Sequence, residues 1–249
     1  MNKSKHDYEW WDYSWNPIVG CSPVSEGCEN CYAAGISKRF KLPWGTPEFK
    51  PERLMEPVRM RKPSRIFVCS VSDIFHEGVH AEWVDRVLEI IAACPQHTFM
   101  MLTKRPENIY RKIYEVTAER ACRELGGGDY LPNLWLGVTA ENQARADERI
   151  SILLSVPAAK HFVSVEPMLG PVSLAGFDGK TYRPWLDYHA WKVAFDWVIA
   201  GPETGRRARE CKPEWIMDVA DQCKAAKVSF WDKSHGEFIR REYPREGGK

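Results

Sequence analysis

Three cysteines stand close together near the N-terminus, Cys21, Cys28 and Cys31, within WNPIVGCSPVSEGCENCYAAG. Their C-x6-C-x2-C spacing, set among glycines and a proline, lets three thiols converge on one metal centre. Three is an incomplete set. Structural zinc takes four protein ligands, whereas a metal group held by three keeps one position open for chemistry. Four readings compete. A structural zinc needs a fourth ligand, from Cys69, His76 or His80. A redox CxxC pair of Cys28 and Cys31 leaves Cys21 without a role. Three unrelated buried thiols leave the Gly-Cys contexts unexplained. A 4Fe–4S cluster uses all three thiols and leaves one iron free for a small molecule, and this is the reading carried forward. A rival motif, His76-Glu77-Gly78-Val79-His80, matches the zinc-protease pattern HExxH. That chemistry needs both histidines one turn apart on a continuous helix. Here the motif follows a strand, contains Gly78 and precedes a helix that begins near Ala81, so it reads as a loop.

The elements that must position the thiols alternate along the chain. Short apolar runs occupy Arg65–Val71, Thr98–Thr103, Leu134–Thr139, His161–Val165, Trp197–Ala200 and Val228–Trp231. They alternate little in polarity, the pattern of strands buried on both faces of a parallel sheet. Trp15–Gly20 supplies one more strand before the cysteines. Helical patterns fall between them, at Ala81–Cys94, Pro106–Leu125, Glu141–Ser155 and Pro213–Lys227, the last opening on a first-turn proline. The order predicts an α/β fold, a partial or complete parallel (β/α) barrel of about six or seven strands. A single domain over residues 1–235 is expected, with insertions near 41–64 and 170–196 and a C-terminal tail over 236–249. The second insertion carries Trp185, Tyr188 and Trp191, aromatics that could stack on a base or simply cover the barrel.

In such a fold the site forms at the C-terminal ends of the strands. Read in order, those ends deliver Cys21; Ser70, Ser72 and Asp73; Thr103, Lys104 and Arg105; Thr139, Glu141 and Asn142; Ser164 and Glu166; Gly201, Glu203 and Thr204; and Asp232 and Lys233. Ser, Thr or Asp at one strand end is also what a helix cap wants. Glu166 and Glu203 are harder to explain in that way, because each directly follows an apolar strand, where a bare carboxylate is costly without a partner.

Composition sets limits on this picture. The chain has 249 residues, 44% hydrophobic and 28% charged, enough for a large core. A net charge of +1 makes no bulk demand for nucleic acid, although basic residues bunch at 59–65, 104–112, 206–212 and 240–245. The N-terminus lacks an apolar signal core and no membrane-length apolar run occurs, so a soluble, cytoplasmic protein without membrane contacts is expected. Eight cysteines in a reducing compartment point to metal binding or buried thiols rather than disulfides. Cys69, Cys94 and Cys122 read as core, and Cys211 and Cys223 are too far apart to form a local metal knuckle.

The segments WNPIVGC…GCENCYA, FVCSVSDIFH, QHTFMMLTKRPE, LWLGVTAENQ, FVSVEPMLGPV and WVIAGPETG…AR, from Trp15 to Lys233, together resemble an uncharacterised phage-type family with a three-cysteine motif. That family is regarded as related to the radical S-adenosylmethionine (SAM) enzymes. The resemblance implies a radical SAM-type barrel and an enzyme in the cytoplasm of the host cell. Cys21, Cys28 and Cys31 would hold a 4Fe–4S cluster whose free iron binds SAM, and a one-electron reductant would drive SAM cleavage and hydrogen abstraction from a substrate. It implies Ser70, Ser72 and Asp73 at the methionine amino end, Lys104 at the SAM carboxylate, Thr139, Asn142 or Glu166 at the ribose, and Gly201 to Glu203 along the adenine. The implied substrate is a modified thymine base in phage DNA, rearranged or hypermodified. The chain departs from the commonest radical SAM spacing, C-x3-C-x2-C, carries Asn30 where an aromatic residue is usual, and has Pro202 where relatives carry a second glycine. The alternative, from another class, is a non-catalytic zinc-stabilised module that binds nucleic acid or protein.

Overall fold

The structure is a computed structural model that describes residues 1–4, 6, 9–115, 130–177, 182–184, 195–234 and 241–244. Cys122, Trp185, Tyr188, Trp191 and most of the expected C-terminal tail lie outside the described residues.

The chain enters through β1 (Asn2–Lys3) and β2 (Tyr13–Trp15). A small antiparallel pair, β3 (Ile18–Val19) with β4 (Glu48–Phe49), brackets the cysteine loop and α1 (Tyr32–Phe40). Then β5 (Arg65–Val68), α2 (Ala81–Ala92), β6 (Thr98–Thr103), β7 (Leu134–Thr139), α3 (Gln143–Leu154) and β8 (Lys160–Val165) follow in turn. The hairpin of β9 (Ala175–Phe177) and β10 (Tyr182–Pro184) precedes β11 (Trp197–Ala200), α4 (Pro213–Ala225) and β12 (Ser229–Asp232).

Eight strands form one sheet in the order β1-β2-β5-β6-β7-β8-β11-β12. Only β1 pairs antiparallel; every other neighbour is parallel. The strand order never reverses, and the sheet is not closed, with β1 and β12 as its edges. No helix among the described residues is long and apolar enough to cross a membrane.

Period-two alternation sorts the side chains of each strand onto two faces. Val68, Met101, Leu136, Val138, Val163 and Val198 join one core with the apolar stripes of α2, α3 and α4, so these three helices share a face. The other face carries Phe67, Met100, Trp135, Phe162, Trp197 and Trp231, over which Trp10 is laid. Trp10 meets Phe67 at 4.7 Å and Trp197 at 5.8 Å between ring centroids, the second of these edge to face. Gly137 is what lets Phe162 in: a Cβ there would stand 2.5 Å from the Phe162 ring. Gly137→Ala is therefore expected to overpack this layer by about 1–3 kcal/mol. Thermal melting should fall by roughly 2–12 °C, and Phe162→Leu in the same chain should recover part of that loss.

Several expected boundaries move, each for a local reason. The strand expected at Trp15–Gly20 breaks after Trp15, and Ile18–Val19 pairs with β4 instead of the main sheet. β5 stops at Val68 because Cys69 takes a positive φ of 59° and turns the chain. The expected helix Pro106–Leu125 begins as a 3-10 turn at Pro106–Asn108, passes into a π-helical turn at Arg111–Glu115, and then leaves the described residues.

Candidate metal centre

Each cysteine is placed by a different local device. Cys21 follows Gly20, whose φ is +90° and whose added Cβ would lie 2.4 Å from the Thr46 carbonyl oxygen. Both the backbone conformation and the close approach exclude a side chain there. The Cys21 carbonyl accepts from the Gly45 N–H at 2.8 Å, which ties the loop to the excursion after α1. Cys28 closes the 3-10 turn Glu26–Cys28, and Cys31 occupies the N-cap position of α1. All three are free thiols, half-buried, and line one cavity of about 170 Å³. Among the described residues, no three His, Cys, Asp or Glu side chains gather around one point as a single bound ion requires.

Strand ends supply the facing walls. Ser70, Ser72, Asp73, Lys104, Thr139, Glu166 and Glu203 all line the same cavity, joined by Arg105, Thr204 and Lys233. Trp10, Trp11, Phe67 and Leu102 form an apolar part of the lining. On β8, Phe162 faces the aromatic layer, and Glu166, the first residue past the strand, reaches the cavity. Asn142 and Gly201 do not line it. Asn142 caps α3, accepting from the Arg145 N–H at 3.1 Å, and its amide donates to Glu26. Gly201 is pressed against the residue that follows β12, where an added Cβ would come 2.6 Å from the Lys233 Cβ.

Ion pairs hold the cysteine loop from below and from the side. Glu141 and Arg149 are both buried; the Arg149 guanidinium donates to Glu141 Oε2 and to the Thr139 carbonyl, each at 2.8 Å. The other Glu141 oxygen accepts from Ser25 Oγ, and Gly27 sits so close that a Cβ would meet this carboxylate at 2.7 Å. Glu26 pairs with Arg145 at 3.0 Å, and that guanidinium holds its carboxyl down at about 2. From above, the segment after β11 straps the loop: Glu203 pairs with Arg209 at 2.6 Å and accepts from Asn30 at 3.1 Å. Arg209 also reaches the Glu26 carbonyl at 3.0 Å.

The family described as proteins of unknown function, DUF5131, matches residues 5–249. The chain belongs to that family. No curated protein and no solved structure matches it.

In this DUF5131 chain most polar strand-end side chains are already engaged. Ser70 Oγ donates to Asn16 Oδ1 at 3.2 Å and Ser72 Oγ to the Ile18 carbonyl at 2.8 Å. Asp73 accepts from Thr103 Oγ1, the Lys104 N–H and the Phe75 N–H. Glu166 pairs with Lys233, whose ammonium lies 5.3 Å from the Trp11 ring. Lys104 differs: half-buried on the cavity wall, its ammonium makes no ion pair among the described residues. Burial pushes the Cys21 thiol up to about 11, with the Asp73 charge adding and Arg105 opposing. The HExxH segment lies in turns outside any helix: His76 Nε2 meets Ser22 Oγ at 2.7 Å, while His80 is the N-cap of α2. Of the other thiols, Cys69, Cys94 and Cys223 are buried, and Cys69 also reaches the cavity.

The strap has a pH signature in this DUF5131 chain. Arg209 holds the Glu203 carboxyl near 2, below its ordinary 4.5. A depressed pKa contributes stability that is present above about 4.5 and lost as pH falls toward 2. Arg209→Gln should therefore flatten the acid limb of a urea-midpoint profile between those values and leave its shape near neutrality unchanged.

Proposed function

We propose that Cys21, Cys28 and Cys31 hold a 4Fe–4S cluster and that the cavity they line receives SAM. The observation that carries this reading is a shared wall. Three free thiols from one loop and Lys104, whose ammonium makes no ion pair among the described residues, line the same cavity, at the C-terminal ends of parallel strands. The donor set fits the group. Soft thiolates hold such clusters, and a cluster spreads its ligands over different irons, so its thiols share a wall without meeting at one point. Helices on one face and a strand order without reversal also favour a partial barrel over a doubly wound sheet, which covers both faces.

The chain's own residues then divide the work. Lys104 meets the SAM carboxylate as a compact cation. Ser70, Ser72 and Asp73 shape the loop at the methionine end through the bonds they already make. Thr139 and Glu166 face the ribose, while Pro202, Glu203 and Thr204 bound the adenine side. Trp10, Phe67 and Leu102 keep water from one part of the lining. The bound cluster supplies one-electron reductive cleavage of SAM and, from it, hydrogen abstraction from the substrate. For the substrate we favour a modified thymine base in phage DNA, which must leave the duplex stack to reach the cavity. Arg206, Arg207 and Lys212 are exposed on and after the strap and give phosphates a landing place.

The test is anaerobic reconstitution with iron and sulfide, followed by dithionite and SAM, with 5′-deoxyadenosine assayed. A brown protein that forms it supports the proposal. A colourless protein that binds stoichiometric zinc and forms none overturns it in favour of the metal-stabilised binding module.

A further inference from the structure

Arg105 connects the first cysteine to two carboxylates. It follows β6 and is buried, with its side chain 3% exposed. Nη1 lies 3.8 Å from Cys21 Sγ and 3.4 Å from Asp73 Oδ2. Nε lies 3.1 Å from both Glu77 carboxylate oxygens. Nη2 donates to the Ser22 carbonyl at 2.9 Å and to Ser22 Oγ at 3.2 Å. One guanidinium thus grips the backbone beside Cys21, points an N–H at its sulfur, and stands between that sulfur and two anions.

We propose that Arg105 is a positioning residue that raises the reduction potential of the iron–sulfur group held at Cys21. The inference rests on the cluster reading above. One-electron reduction adds a negative charge that spreads onto the sulfur ligands, and a cation with an N–H donor in contact favours that state. Only the planar fork of arginine can serve sulfur, carbonyl and carboxylates together; a lysine supplies the charge without the geometry. Asp73 and Glu77 act in the opposite sense, because a nearby anion disfavours the added electron. Glu77 is 59% exposed, so its charge can be removed without opening the core.

An EPR-monitored redox titration of anaerobically reconstituted wild type, Arg105→Gln, Arg105→Lys and Glu77→Gln tests this, with dithionite as the electron source and iron and sulfide counted in each. Arg105→Gln should lower the midpoint by at least about 59 mV, a tenfold loss in the one-electron equilibrium constant. Arg105→Lys should fall between it and wild type. Glu77→Gln should shift the midpoint the opposite way, upward. A general loosening of the site would not produce opposite signs. Equal midpoints in wild type and both neutral variants, or shifts of the same sign, overturn the inference and leave the cluster reading intact. If Arg105→Gln takes up no iron, the sign for Glu77→Gln decides: an upward shift supports the inference, and none or a downward one overturns it. A wild-type chain that takes up no iron and sulfide overturns the cluster reading, and the inference with it.

Discussion

Cys28→Ala is expected to abolish 5′-deoxyadenosine formation and to strip iron and sulfide from the reconstituted protein, while the apo chain still folds. The expectation follows from burial and from ligand count. Cys28 is half-buried in a 3-10 turn whose backbone closes through the Cys28 N–H to the Ser25 carbonyl at 2.9 Å. Alanine keeps that bond and removes one sulfur from the cavity wall. The packing lost is small, about 1 kcal/mol or less, which corresponds to a fall in melting temperature of roughly 2–4 °C or less. A structural zinc predicts a different result. Such a metal contributes about 10–16 kcal/mol of apparent binding energy to folding, so losing a ligand would unfold the domain. Iron content, SAM cleavage and thermal melting of the same variant, each compared with the metal-loaded wild type, therefore separate the two readings, and a variant that unfolds outright would count against the cluster.

The second large effect concerns stability. Glu141→Ala leaves the Arg149 guanidinium buried beside an alanine, with the Thr139 carbonyl still accepting from it. Breaking a buried pair by removing one partner costs about 3–5 kcal/mol, because an uncompensated charge stays inside. The expected fall in melting temperature is roughly 6–20 °C. Glu141→Leu combined with Arg149→Leu should lose much less, since both charges leave the interior together. The single variant also frees Ser25 Oγ and opens space beside Gly27, so the Cys28 turn should exchange its amide hydrogens faster. A double variant as unstable as the single one would show that the pair is not the source of the loss.

Much of the architecture was legible in local sequence. Thr98–Thr103, Leu134–Thr139 and Trp197–Ala200 are strands over the residues their apolar runs mark. Ala81 and Pro213 begin helices as expected. One further signal was present: Arg149 stands among Ala146, Ile150 and Leu153 on the buried stripe of α3, and an arginine there must have a buried partner. Its partner was not legible. Neither were the places where backbones meet, such as Gly20 against Thr46 or Ile18–Val19 against Glu48–Phe49.

The sequence by itself determined the strand and helix segments, the one-way alternation that stacks them as a parallel sheet, and the three thiols on one loop with polar groups at the strand ends. These depend on residues a few positions apart, where periodicity and spacing act directly. Only the tertiary structure decided which of those polar groups face the cavity with free atoms. Asn142 caps a helix, Glu203 is held by Arg209 and Asn30, and Asp73 is held by Thr103 and the Lys104 N–H, whereas Lys104 lines the cavity with an ammonium that makes no ion pair among the described residues. The physical reason is that a buried or half-buried polar group must be satisfied by whichever partner the sheet order brings beside it. That partner can lie as far along the chain as Asn30 from Glu203, a distance that no local pattern encodes.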